Sequence, residues 1–116
     1  MFSRTMSILV AVFALAASAV QARPFPDTQR PTVEPIHGAR VDAAGLTLRV
    51  GSSGCTRKES FRMRVKGPAR RPTVTALRVK PDYCKAMFRI VEFTWTRREL
   101  GVRPGAKIRV GNPYAG

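Results

Sequence analysis

Two cysteines and one histidine are the residues of this chain whose chemistry depends most on number and spacing. Cys55 and Cys84 are its only cysteines, and His37 is its only histidine. A structural zinc site needs four ligands, which these residues alone cannot supply. The first residues of the chain indicate export, and in an exported protein two cysteines favour a disulfide over free thiols. We predict a Cys55–Cys84 disulfide, no metal site and no cofactor.

Basic residues alternate with apolar ones along several segments, and a period of two places each kind on one face of a strand. Arginine's planar fork suits phosphate and carboxylate groups. We therefore predict a basic sheet face that binds an anionic partner, such as lipopolysaccharide phosphates, acidic polysaccharide or extracellular nucleic acid. The predicted binding residues are Arg62, Arg64, Lys66, Arg78 and Lys80. Further basic residues in the same pattern or in the hairpin turn are Arg49, Arg70, Arg71, Lys107 and Arg109.

Two alternatives stand beside anion binding. The charges can simply form a solvated face that keeps strand edges from aggregating. The domain can also be a protein-interaction module, such as a periplasmic inhibitor or an accessory subunit of an envelope machine. An exposed aliphatic patch around Ile90 would favour that function. Sequence-specific nucleic-acid binding is not expected, because the pattern offers neither a recognition helix nor zinc-finger spacing.

No catalytic constellation is visible in the spacing, and we predict that the protein is not an enzyme. A hydrolytic triad needs a base, and His37 lies beside a proline-rich stretch, where an ordinary polar role is expected. The acids Asp42, Asp82, Glu92 and Glu99 are scattered singly. Among so many arginines they are expected to be salt-bridge partners, and Asp82 to form a turn beside Cys84.

The elements that must position these residues are strands. Leu46, Leu48 and Val50 alternate with polar residues, and Phe88 to Thr96 (FRIVEFTWT) reads as a central strand. We expect Val91, Phe93 and Trp95 on one face of it, Ile90 on the other, and Phe88 in the core. Gly67 to Pro72 should close a hairpin, and Arg97 to Gly101 should form a single helical turn. The fold class predicted is all-β: a small antiparallel β-sandwich, Ig-like or barrel-like, with six or seven strands and one disulfide.

One hairpin register keeps both basic sets outside. It pairs Arg64 with Ala76 and Arg62 with Arg78, because directly opposed residues point to the same face. Extended outward, this register brings Cys55 close to Cys84, so that the disulfide would clamp the open end of the hairpin.

The first residues predict export. Arg4 precedes an apolar run, Ile8 to Ala17, which is too short to span a bilayer and is followed by small residues. We predict a signal peptide over residues 1–22, with cleavage after Ala22 or alternatively after Ala19, and a periplasmic or secreted product. Cleavage after Ala22 removes one of 21 basic residues and leaves 20 against seven acidic ones, a net charge of +13. A flexible leader with four prolines should follow over residues 23–35, and a single β-domain over residues 36–116.

Several short motifs carry a resemblance. They are Gly54-Cys55-Thr56, the segment Arg78 to Ala86 (RVKPDYCKA), Glu99 to Val102 (ELGV) and Val110 to Pro113 (VGNP). Together they resemble a group of small, exported, functionally uncharacterised bacterial proteins with a paired cysteine. The resemblance covers most of residues 46–113. It implies a β-rich domain with a disulfide, and it implies no activity.

Overall fold

Seven strands form two sheets in the computed structural model, which describes residues 30–116. The prediction of a small β-sandwich with six or seven strands and one disulfide is confirmed, and the number of strands is seven. The predicted signal peptide and most of the predicted leader lie outside the described residues. Within residues 30–116, no helix is long and apolar enough to cross a membrane.

The elements alternate with short turns along the chain. The strands are β1 (Thr32–Val33), β2 (Gly38–Val41), β3 (Gly45–Ser52), β4 (Phe61–Lys66), β5 (Thr73–Arg78), β6 (Arg89–Thr96) and β7 (Arg109–Val110). A short 3-10 turn (Lys58–Ser60) precedes β4, and the single helical turn α1 (Arg97–Leu100) follows β6. The hairpin predicted at residues 67–72 joins β4 to β5 as expected.

The first sheet is antiparallel, in the order β2-β3-β6. Leu46, Leu48 and Val50 on β3 are fully buried, as their alternation predicts. β6 pairs with β3 along its whole length, and its other side has no strand beside it among the described residues. The prediction that β6 is a central strand is therefore wrong: its apolar content reflects one buried face and one exposed apolar patch.

The second sheet is built around β5. β4 pairs with one side of β5 over its full length, while the other side is shared by β1, opposite Leu77 and Arg78, and β7, opposite Thr73 and Val74. Between these two short strands the side chain of Asn112 continues the ladder. Its Oδ1 accepts from the Ala76 N–H (2.8 Å), and its Nδ2 donates to the carbonyls of Ala76 and Glu34. A side-chain amide thus hydrogen-bonds backbone groups in the gap between β1 and β7, where β5 has no strand beside it on that side.

The sheet begins within the predicted leader. Thr32 and Val33 form β1, the Glu34 side chain is buried, and Ile36 is fully buried. The predicted boundary between leader and domain at Ile36 therefore needs correction. The prolines on either side of this segment are compatible with an edge strand, because β1 uses only a few backbone groups for pairing.

Both sheets contribute to one core. Buried side chains of β3, β4 and β5 meet there, and Phe61, Phe93 and Trp95 form an aromatic cluster with ring centroids 6.1–6.3 Å apart. Val91, Phe93 and Trp95 share the inner face of β6, and Ile90 lies on the outer one, as predicted. Aromatic pairs at this spacing add to the stabilisation that burial provides.

The predicted helical turn is confirmed, with both ends capped. The Thr96 hydroxyl accepts from the Glu99 N–H, and the Glu99 carboxylate accepts from the Thr96 N–H. Gly101 closes the turn at φ 68°, a left-handed conformation that suits glycine. This turn buries Leu100 and leads directly into the loop that carries Arg103 and Lys107.

Candidate anion-binding surface

The exposed face of β4 carries three of the predicted binding residues. Arg62, Arg64 and Lys66 all point outward and are exposed. They face Leu77, Thr75 and Thr73 of β5, respectively. The predicted register is therefore wrong by one residue. Because such a slip exchanges the two faces of a strand, β5 turns its arginine inward.

Arg78, predicted as an outward, anion-binding side chain, is instead partly buried and turned inward, so the predicted orientation is wrong. Its Nε and Nη2 donate to the two carboxylate oxygens of Glu34, at 2.8 and 2.7 Å. Its Nη1 donates to Thr56 Oγ1, its Nη2 to the Gly51 carbonyl, and the guanidinium lies 4.8 Å from the centroid of Phe61. The hydrogen bonds that Arg78 donates to Glu34 raise the pKa of Arg78 against the opposing effect of burial. The N–H groups of the guanidinium thus donate to partners within the domain, and this explains why an arginine can face the core.

Lys80 stays exposed but lies apart from the strand. It follows β5 by two residues, where its N–H donates to the Ser60 carbonyl at the open end of the hairpin. Nothing in its contacts joins it to the row on β4.

The basic surface continues from β4 across β5 to β7. Lys66 pairs with Thr73, and Thr73 pairs with Arg109, so these three side chains share one face. With strands about 4.8 Å apart, Lys66 and Arg109 are separated by roughly 10 Å at their Cα atoms. Arg109, which the sequence pattern indicated, thus belongs with the predicted row.

Four more basic residues surround a cleft beside this row. The cleft has a volume of about 320 Å³ and lies between the β4–β5 turn and the loop before β7. Arg70 and Arg71 come from the turn, and Arg103 and Lys107 from the loop. Arg103 was not indicated by strand alternation, since it belongs to no strand. Its position directly before the Pro104-Gly105 turn is the one signal in the sequence.

We call the combined set the basic strip. It consists of Arg62, Arg64, Lys66, Arg70, Arg71, Arg103, Lys107 and Arg109. Among residues 30–116 the ion pairs are Arg40–Asp42, Arg49–Glu92, Lys58–Glu99 and Arg78–Glu34. Three of the predicted acidic salt-bridge partners are thereby confirmed. None of these pairs involves the basic strip, so its charges are balanced by no acidic residue within the described chain.

The disulfide lies at the opposite end of the hairpin from the turn. Cys55 and Cys84 are bonded as predicted, with Cα atoms 5.7 Å apart. Their sulfurs and an Asp82 oxygen lie within 4.8 Å of one another, but both sulfurs are bonded to each other rather than available as thiolates. His37 packs its ring against Phe88, with centroids 5.9 Å apart.

Asp82 organises the loops around the disulfide rather than forming a salt bridge. Its Oδ2 accepts from the N–H groups of Ser53 and Cys55 and from the hydroxyl of Thr56, at 2.8–3.1 Å. Its Oδ1 accepts from the Cys84 N–H, as the predicted turn beside Cys84 requires. Desolvation opposes the charged carboxylate, but these donors outweigh it and hold the pKa of Asp82 well below its usual range.

Replacing Asp82 with asparagine should therefore lower the melting temperature at pH 7. The folded pKa of the carboxyl lies below that of the unfolded chain, so its stabilisation is complete above the unfolded value, about 3.9. It is lost as the pH falls toward the folded value. The Tm difference between wild type and Asp82→Asn should thus narrow below about pH 4, as thermal unfolding between pH 7 and pH 2 will measure. A constant difference would contradict this origin, and the control, Glu59→Gln, changes an exposed acid outside the ion pairs above.

Comparison with known proteins adds no relative: no family model, curated protein or solved structure matches the chain.

Proposed function

We propose that this protein is an exported, non-enzymatic domain that binds an anionic envelope or extracellular polymer through its basic strip. The observation that carries the proposal is the segregation of charge. The described ion pairs lie elsewhere, while eight cations lie along β4, the hairpin turn, the loop before β7 and β7 itself. Like charges held close together cost stability unless a counter-charge is supplied from outside. A polyanion supplies it and releases small ions in doing so.

The mechanism is electrostatic and non-specific in sequence. Arginine and lysine side chains on β4 contact successive sulfate, phosphate or carboxylate groups, and arginine does so with paired donors. When binding releases small ions from a polyanion, the logarithm of the affinity falls linearly with the logarithm of the salt concentration. Exposed charges are screened beyond about 8–10 Å at ordinary ionic strength, so the polymer must lie directly against the strip.

Heparin provides the first test, with the triple variant Arg62→Gln, Arg64→Gln and Lys66→Gln. All three side chains are exposed, so the variant should fold normally. We expect it to elute from heparin at much lower salt than the wild type. We also expect the salt slope of its affinity to fall by roughly one unit for each lost contact, or about two to three in total.

The matched control removes the same charge elsewhere, because any strongly basic protein binds heparin to some degree. Lys85→Gln, Arg89→Gln and Arg98→Gln change three exposed residues outside the basic strip. We expect this control to elute close to the wild type. If both triple variants shift equally, net charge alone governs retention and the basic strip is ordinary solvated surface. Lipopolysaccharide in place of heparin then tests the envelope ligand directly.

A second candidate function rests on a separate observation, an exposed apolar patch on β6 and the residues before it. Met87 is 89 % exposed, Phe88 59 % and Ile90 40 %. The prediction that Phe88 is a core residue is wrong: its ring lies over the backbone of Gly51, where an added Cβ would come within 2.5 Å of it. An apolar patch beside an unpaired strand edge is typical of a protein-interaction surface.

This patch favours a protein partner bound with defined stoichiometry, and the net positive charge of the chain favours an acidic one. The discriminating variants are Met87→Lys and Ile90→Lys, which place charge within the patch and leave the basic strip intact. Loss of a one-to-one complex in these variants, with unchanged heparin elution, would support the interaction module. An identical complex in the variants and the wild type would reject it.

A further inference from the structure

We propose that the cleft between the hairpin turn and the loop before β7, the basic cleft, binds a compact ligand that carries two phosphate groups. The basic cleft is defined by Arg70, Arg71, Arg103 and Lys107. The inference rests on the proposed anion binding and assigns a discrete ligand class to one part of the basic strip. The open row on β4 would take the extended polymer, and the basic cleft would take a phosphorylated group.

The shape of the cleft limits the ligand. Its volume of about 320 Å³ lies at the lower end of the range for small-molecule sites, roughly 300–1,000 Å³. Such a volume suits a pyrophosphate or a phosphorylated monosaccharide rather than a polymer segment. The remaining lining residues, Pro104, Gly105 and Ala106, are small or compact and carry no charge.

Charge sets the number of phosphates. Three arginines and one lysine line the basic cleft, and no acidic residue lines it. A phosphate monoester carries about −1.5 to −2 at neutral pH. Two phosphate groups therefore match four positive charges, whereas one sulfate or one carboxylate leaves most of them uncompensated. The planar guanidinium also binds phosphate with two parallel hydrogen bonds, which gives geometric selectivity beyond charge.

The two loops that form the basic cleft are fixed to each other by backbone hydrogen bonds. The Lys107 N–H donates to the Arg70 carbonyl at 2.8 Å, and the Arg109 N–H donates to the Pro72 carbonyl at 2.9 Å. These bonds set the spacing between the cations of the turn and those of the loop. Little backbone ordering is then left to oppose ligand binding, as in a preorganised site.

Arg97 acts as a positioning residue for the loop. Its Nη1 donates to the Ala106 carbonyl at 2.8 Å, and its Nη2 donates to the Asp42 carbonyl at 3.1 Å. One guanidinium thus ties the loop before β7 to the turn between β2 and β3. Arg97 is partly buried and faces carbonyl groups, so it supports the basic cleft without being one of its ligand-binding groups.

Titration calorimetry of the full mature chain with inorganic pyrophosphate at about 150 mM salt tests the inference. We expect saturable one-to-one binding in the wild type. The cleft variant Arg71→Gln with Lys107→Gln should weaken it at least tenfold. The control Lys85→Gln with Arg89→Gln removes the same charge from exposed residues outside the basic strip and should weaken pyrophosphate binding less than twofold. Absence of one-to-one binding, or equal weakening in both variants, would overturn the assignment.

The two proposals fail separately in this design. If heparin elution depends on the β4 residues but pyrophosphate does not saturate, polymer binding stands and the basic cleft has no discrete ligand. If pyrophosphate binds through the basic cleft but heparin elution is insensitive to the β4 residues, the cleft has a discrete ligand and the proposal of polymer binding by β4 fails. A second assay measures binding of the protein to vesicles that carry a bisphosphorylated glycolipid. If the protein binds these vesicles and pyrophosphate competes, the ligand is membrane-borne. Pyrophosphate binding without vesicle binding identifies a free phosphorylated ligand.

Discussion

Replacing both Cys55 and Cys84 with serine is expected to lower the free energy of unfolding by about 3–4 kcal/mol. The disulfide joins residues separated by 29 positions, and closing a loop of that length removes much of the conformational freedom of the unfolded chain. A domain of this size has a small core, so a loss of this magnitude removes a large fraction of its total stability.

Urea denaturation followed by tryptophan fluorescence measures this effect, since Trp95 is buried in the core. Reduction of the wild type should reproduce the midpoint of the double serine variant, and a reductant should leave the variant itself unchanged. If the variant and the oxidised wild type share one midpoint, the crosslink contributes no stability and its role is confined to shaping the loops around Asp82.

Replacing Glu34 with glutamine is expected to cost about 3 kcal/mol, the lower end of the range for breaking a buried ion pair. The side chains of Arg78 and Glu34 are only 15 % and 10 % exposed. Removing the carboxylate charge leaves a buried guanidinium without its counter-charge. Arg78 keeps its hydrogen bonds to Thr56 and the Gly51 carbonyl, which is why the lower figure applies.

The control for this prediction is Glu92→Gln. Glu92 forms an exposed ion pair with Arg49 at 3.7 Å, and exposed pairs contribute about 0–1 kcal/mol. Chemical denaturation of both variants compares a buried and an exposed pair under the same change of side chain. Equal losses in the two variants would contradict a special role for the Glu34–Arg78 pair.

Local pattern was sufficient to predict the strands and turns that are specified by neighbouring residues. The alternation of Leu46, Leu48 and Val50 identified the buried face of β3, and Gly101 identified the end of the helical turn. The cysteine count identified the disulfide. The strand and the turn depend on residues close together in sequence. The disulfide could be predicted because each cysteine has only one possible partner.

The errors arose where a partner distant in sequence decides the outcome. Both faces of β5 carry small or apolar side chains, so alternation does not determine which one is buried, and Glu34 selects the face by pairing with Arg78. The sequence position of Glu34 between prolines gave no sign of burial. The apolar residues of β6 likewise predicted strand structure but not its place at the edge of a sheet.

The sequence predicted the basic character of the candidate site but not all of the residues that form it. Arg62, Arg64 and Lys66 follow from a period of two. The basic cleft depends on two loops that meet only because β5 and β7 are paired. The separation of these cations from acidic residues is a three-dimensional property, which becomes visible only when the ion pairs are known.

The contact between the two ends of the domain has a consequence for biosynthesis. Asn112 donates to the Glu34 carbonyl, and Ile36 exchanges backbone hydrogen bonds with the segment around Tyr114. These contacts close a loop of 78 residues, so the second sheet cannot be completed until the residues after Val110 have been synthesised. A nascent chain would therefore lack a completed second sheet through most of its translation. For a protein exported as we propose, this late closure helps to keep the chain incompletely folded, as passage across the membrane in an extended form requires.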